Sequence, residues 1–95
     1  MAVYVIAAVH VTDQDGYAAY RQLSGPSVAQ YGGRFLVRGG TYDVLEGDWD
    51  PGRVVGVEFD SAELARRWWT SDEYEAAKAL RRDAATANFI LVEGA

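Results

Sequence analysis

The segment Val3–Val11 is apolar in both of its alternating sets, Val3, Val5, Ala7 and Val9 on one side and Tyr4, Ile6 and Ala8 on the other. A β-branched run that is apolar on both faces predicts a strand covered on both sides and central in its sheet. Thr12-Asp13-Gln14-Asp15 has the form of a capping box, with Thr12 the expected cap and acids where a helix start favours them. The helix that follows sets Tyr17, Tyr20, Ser24, Val28 and Tyr31 near one stripe. Gly25-Pro26 predicts a kink or a division into two short helices, and Gly32-Gly33 predicts the stop.

Arg34–Arg38 then alternates, with Phe35 and Val37 on one side and Arg34, Leu36 and Arg38 on the other. Gly39-Gly40 suggests a bulge before an extended stretch from Thr41 to Glu46, and Gly47–Gly52 is a turn by composition. Arg53–Phe59 is a second nearly all-apolar strand, again expected to be central. Ser61 is placed to cap a helix carrying Leu64, Ala65, Trp68 and Trp69, and Ser71-Asp72-Glu73 to start another. That last helix sets Tyr74, Ala77 and Arg81 at i, i+3 and i+7, and Asn88–Glu93 is a closing short strand.

The order β-α-β-β-α-β is the split arrangement of a ferredoxin-like α+β domain, an antiparallel sheet with both helical segments on one face. One such domain accounts for residues 1–95. The other sheet face would stay open, yet the first and third strands are apolar there too. Burial against a second copy resolves this, so the alternation predicts a homodimer joined through its sheets.

Composition narrows the chemistry. A net charge of −5 with scattered basic residues argues against nucleic acid, and no apolar stretch is long enough to span a membrane. A soluble cytoplasmic protein is the default expectation. No cysteine and one histidine leave no thiolate chemistry and little prospect of a zinc or haem site, so no metal and no cofactor are expected. Six Tyr, three Trp and three Phe exceed what one small core needs. Some should line a pocket or an interface.

Tyr31-Gly32-Gly33-Arg34-Phe35-Leu36-Val37-Arg38-Gly39-Gly40 and Leu45-Glu46-Gly47-Asp48-Trp49 carry a resemblance. Together with Val57–Ser61, Trp68-Trp69, Ser71-x-x-Tyr74 and Val92-Glu93-Gly94, the chain resembles the bacterial domain-of-unknown-function family 1330. That family is similar to the dimeric α/β-barrel group, which includes cofactor-free monooxygenases, cyclases, isomerases and some ligand-binding proteins. The resemblance implies the fold and the dimer, and far less about activity, because one fold hosts many chemistries. His10 is not among the residues that carry it.

Two constellations are candidates for chemistry. Placing the first and third strands side by side and parallel brings His10 and Glu58 to one end, and a tight hairpin sets Glu58 near Arg38. In that arrangement His10 moves a proton, Glu58 orients it, and Arg38 stabilises oxyanion charge. The plain alternative is a surface histidine beside a structural Arg–Glu pair. The second set is Tyr17, Tyr20, Tyr74, Trp69 and Arg81, bordering a cleft between helices and sheet, or else serving as core aromatics with hydroxyls reaching the surface. Trp68 and Trp69 point about 100° apart, so one is expected in the core and the other at a subunit interface or cleft mouth, the interface favoured. The glycine pairs form no phosphate-binding motif. The expectation is a cofactor-independent enzyme acting on a small organic molecule at a carbonyl or enol. A non-catalytic small-molecule-binding or structural dimer is the competing class.

Overall fold

The computed structural model describes residues 1–95. Seven elements follow one another: β1 (Val3–Val11), α1 (Gln14–Gln30), β2 (Arg34–Arg38), β3 (Arg53–Phe59), α2 (Ala62–Trp69), α3 (Asp72–Arg81) and β4 (Ala85–Glu93). The four strands form one sheet in the order β2-β3-β1-β4, every neighbouring pair antiparallel. The two apolar runs, β1 and β3, are the central strands, as their double-sided patterning requires.

β1 and β3 run antiparallel, not parallel, with Val3 opposite Phe59 and Val9 opposite Arg53. The element order itself demands this. Each helical crossover returns the chain in its starting direction and the β2–β3 hairpin reverses it once. The parallel placement of β1 beside β3 is therefore corrected.

Alternation assigns the two faces. Val3, Val5, Ala7 and Val9 of β1 and Val57 and Phe59 of β3 are buried under the helices. Tyr17, Tyr20 and Val28 of α1, Ala65 and Trp68 of α2, and Tyr74 and Ala77 of α3 close the same core. At its centre Trp68 lies against Tyr74 and Phe59, with ring centroids 4.1 and 5.4 Å away. Its indole N–H donates to Ser27 Oγ at 3.1 Å, and Ser27 Oγ donates to the Ser24 carbonyl at 2.7 Å. A buried polar edge is thereby satisfied, which the core requires.

α1 runs unbroken through Pro26, one helix and not two short ones. Proline removes one helical N–H, but the preceding Gly25 has no Cβ to clash with the ring. Asp13, rather than Thr12, caps α1, accepting from Gly16 N at 3.3 Å. Ser61 and Ser71 cap α2 and α3 through the N–H groups of Leu64 and Tyr74. β4 starts at Ala85, three residues before Asn88, because it pairs along the whole of β1.

The segment Gly39–Gly52 is not a strand, although Thr41–Glu46 has strand-like composition. It leaves Tyr42, Val44, Leu45 and Trp49 exposed. On the outer face of the sheet Ile6, Val37, Ile90 and Val92 are also open. The molecule is a slab with extents of 34 × 33 × 16 Å, two layers deep and uncovered on one side.

Candidate functional site

The antiparallel register separates the proposed dyad. His10 stands one residue beyond the Val9–Arg53 pair, whereas Glu58 faces Tyr4. Six strand residues at about 3.3 Å each put them roughly 20 Å apart. His10 is exposed, and its Nε2–H donates to the Asp50 carbonyl at 2.9 Å. Glu58 belongs to the far end of the outer face. Its carboxylate pairs with Arg34, directly opposite on β2, and accepts from the Tyr4 hydroxyl. That hydrogen bond to a carboxylate holds the Tyr4 proton and raises its pKa.

Arg38 lies opposite Val55, on the inner face, because the long segment 39–52 lets the hairpin pair in a register that a tight turn would not give. A bulge at Leu36 shifts that register by one, so Phe35 and Arg38 share a side. His10, Glu58 and Arg38 thus occupy two ends and two faces of the sheet. They do not form one site.

The groups that do converge lie between α1 and the inner face of the sheet. A slot of about 30 Å³ is lined by Tyr17, Tyr20, Ser24, Phe35 and Arg38, with Arg21 and Arg53 beside them. Its floor and depth are apolar, with Val5, Ala7, Val57 and Phe89 below and Trp68 at one side. The Arg38 guanidinium lies 4.0 Å from the Phe35 ring centroid, and that of Arg53 lies 5.7 Å from Tyr17. Arg53 also donates to the Arg38 carbonyl at 3.3 Å. Burial and then the charges of Arg21 and Arg53 push the pKa of Arg38 downwards. Burial likewise raises that of Tyr17, with nearby Arg53 opposing. At neutral pH Tyr17 is a neutral hydroxyl.

Two glycines make the arginine positions possible. A Cβ on Gly25 would stand 3.1 Å from an Arg38 nitrogen. Gly39 adopts φ +73°, and a Cβ there would collide with the Arg53 guanidinium.

Tyr20 serves the slot with one edge and the core with its hydroxyl, which pairs with the Tyr74 hydroxyl at 2.8 Å. Tyr74 is fully buried, and burial followed by the Tyr20 partner drives its pKa far up. Arg81 lies over the rings of Phe89 and Tyr20 at 4.7 and 5.5 Å. Tyr74 and Arg81 therefore stand behind the slot wall and do not line it.

Trp69 packs on Phe89 at 5.1 Å, on the helix side of the sheet and away from its open face, so it does not join the sheet-to-sheet surface. It lines a second hollow of about 250 Å³ with Ala65, Arg66, Phe89, Ile90 and Leu91. That hollow is the larger space, but Arg66 is the one polar residue in its wall. The smaller slot gathers the chemistry. Arg21 and Arg53 were not singled out from the sequence, although both carry a signal. Arg53 falls in the inward set of β3 with Val55 and Val57, and Arg21 follows the Tyr17–Tyr20–Ser24 stripe of α1.

No three His, Asp or Glu side chains cluster closely enough to hold a metal ion. No helix is long and apolar enough to cross a membrane.

The fold and slot define a ferredoxin-like α+β domain with an arginine-rimmed apolar recess under its first helix. The chain belongs to the family described as Domain of unknown function (DUF1330), whose pattern matches residues 2–95. No curated protein matches the chain. Among solved structures it is similar to a protein of unknown function from Rhodopseudomonas palustris, with 22% identity, TM-score 0.75, and coverage of 99% of this chain and 82% of that one. It is also similar to SnoaB, a cofactor-independent oxygenase from Streptomyces nogalater, at 12% identity and TM-score 0.69, covering 99% of this chain and 93% of SnoaB. A dimeric protein of unknown function with a ferredoxin-like fold from Bacteroides fragilis matches at 14% identity and TM-score 0.59, covering 98% and 96%. At these identities the likeness establishes the fold alone.

Proposed function

We propose that this protein is a homodimer in which each subunit binds a small organic molecule in the slot between α1 and the sheet, and acts on it at a carbonyl or enol without a cofactor. The observation that carries this reading is the placement of Arg38, with Arg21 and Arg53, beside Tyr17 and Tyr20 at a recess whose floor is apolar. Positive charge held at the mouth of a largely apolar recess stabilises negative charge as it develops on an oxygen. Arg38 keeps the oxyanion-holding role, while His10 and Glu58 lose theirs. No histidine or carboxylate lines the slot, so the acidity has to come from the substrate itself. An enol or β-dicarbonyl bound beside arginine ionises more readily, because an opposite charge within a few ångströms lowers a pKa by about 1–3 units. The kinship in fold with a cofactor-independent oxygenase supports this class of chemistry. The same lack of a protein base supports the second reading, a small-molecule-binding domain without turnover.

The dimer rests on the open sheet face. Ile6, Val37, Ile90 and Val92 form an apolar surface that water covers in a lone subunit. A second copy supplies a matching face, and a dimeric neighbour of the same fold supports that arrangement.

Acetylacetone tests the chemistry, since its enolate has its own ultraviolet band. Saturating protein should lower its apparent pKa by about one unit or more, and Arg38→Gln should abolish the shift. An unchanged titration in the wild type removes the enol chemistry and leaves the binding reading.

A further inference from the structure

We infer that the slot takes a small organic carboxylate, held at its mouth by Arg21, Arg38 and Arg53; this rests on the slot being a small-molecule site and names its ligand class. The first observation is the company these arginines keep. The chain has 14 acidic residues against nine basic ones, yet the only ion pairs are Arg34 with Glu58 and Asp60, and Lys78 with Glu75. Seven of the nine basic residues have no carboxylate partner, and three of these, Arg21, Arg38 and Arg53, are gathered at one slot. Like charges gathered without a counter-charge destabilise a fold, which is a cost found where function needs it.

The second observation is hydrogen-bonding capacity. Arg53 Nε is buried and has no partner. The other contacts of the Arg38 and Arg53 guanidiniums are aromatic faces, the Tyr17 hydroxyl and one backbone carbonyl. Each guanidinium offers a planar fork of donors that matches a carboxylate edge.

The third observation is the recess itself. At about 30 Å³ it has room for a carboxylate or a water or two, and its remaining walls are apolar. Arg38 and Arg53 lie over Phe35 and Tyr17. As they turn to a carboxylate at the mouth, those two rings become free to receive the ligand's apolar body. Gly25 and Gly39 leave the space in which the guanidiniums sit.

The test titrates ¹⁵N-labelled protein at low ionic strength with benzoate and propanoate, and in parallel with benzamide and propanamide. Each acid should shift the amides of Tyr17, Ser24 and Arg38 and bind at least tenfold more tightly than its amide. Arg38→Gln and Arg53→Gln should each weaken benzoate binding about tenfold, and Arg82→Gln, an exposed control, should leave it unchanged. Both slot variants should melt no lower than the wild type. Should a glutamine variant fail to fold, the wild type decides: added sodium chloride must weaken benzoate binding and spare benzamide. Equal affinity for acid and amide overturns the carboxylate assignment while the small-molecule site stands. Displacement of benzoate by an equal concentration of inorganic phosphate overturns it in favour of a general anion site. If none of the four probes moves the slot amides, the site reading falls as well.

Discussion

The two faces of the sheet are built from the same strands and the same kinds of residue, yet they solve opposite problems. The inner face holds Val3, Val5, Ala7 and Val9 with their cross-strand neighbours under three helices, and it excludes water down to Phe59 and Tyr74 at zero exposure. The outer face carries Tyr4, Ile6 and Ala8 in the alternate positions and leaves Ile90 57% exposed. Polar groups differ in the same way. On the outer face they are matched at the ends of the sheet, Arg34 and Tyr4 with Glu58 and His10 with Asp50. Between the inner face and α1 three arginines, Arg38 and Arg53 of the sheet and Arg21 of the helix, are gathered at a slot that no acid lines. A surface with matched polar groups around an apolar middle is suited to a second subunit, whereas unmatched charges over an apolar recess are suited to a ligand.

Phe59→Ala tests the inner face and should have the largest effect. The ring has zero exposure and lies against Trp68, so its removal leaves a cavity in the centre of the core. A loss of about 3–5 kcal/mol is expected in urea unfolding. A loss below about 1 kcal/mol would mean that the core is not closed as described. Ile90→Asp is the matching test of the outer face. A lone carboxylate there is harmless in a monomer and desolvated in a dimer. Association should weaken by about a hundredfold or more by sedimentation equilibrium, with a smaller change in unfolding of the isolated chain. If wild type and variant both sediment as monomers of 10.4 kDa, the comparison loses its second half.

Much of this division was legible in the residues. Alternation identified β1 and β3 as central, and glycine and serine marked the helix ends. The open face followed from apolar residues that no second layer in so short a chain could cover. The site was less legible, for two physical reasons. The single reversal at the hairpin sets β1 antiparallel to β3, which holds His10 and Glu58 at opposite ends of the sheet, a consequence of topology that residue types do not display. The hairpin register was the second obstacle. A tight turn fixes which residues face each other, but Gly39–Gly52 spans the connection without strand structure, so nothing local sets Arg34, rather than Arg38, opposite Glu58.

The Tyr20–Tyr74 pair sits at the boundary between slot and core, and pH sharpens its assignment. Tyr74→Phe should cost about 1–2 kcal/mol near neutral pH, since it leaves the Tyr20 hydroxyl without its buried partner. The alkaline limb is more informative. The folded pKa of Tyr74 is raised above its ordinary value of 10.0, so the folded chain keeps that proton where the unfolded chain releases it. This contribution is fully present below pH 10 and is lost as pH climbs beyond it. One such tyrosine gives a slope of about −1.4 kcal/mol per pH unit. Urea titrations of wild type and Tyr74→Phe should run parallel up to about pH 10 and then diverge, reaching about that difference in slope well above it. Curves parallel throughout would show that Tyr74 ionises as freely folded as unfolded.

The smallest expected effect separates the two faces most cleanly. His10 is the one histidine, and residue type alone makes it the first choice for a catalytic base. Its imidazole is exposed on the outer face and donates to the Asp50 carbonyl, anchoring the end of segment 39–52. Gly52 leaves room for that contact, since a Cβ there would stand 3.0 Å from the imidazole Nδ1. His10→Ala should therefore lower stability by about 0.5–1 kcal/mol through the lost anchor. Amide shifts should be confined to residues near Asp50 and Gly52, with those of Tyr17, Ser24 and Arg38 unmoved. Affinity of the slot for benzoate should be the same in variant and wild type. A change at the slot would mean that the two faces communicate through β1, and the division of labour between them would fail.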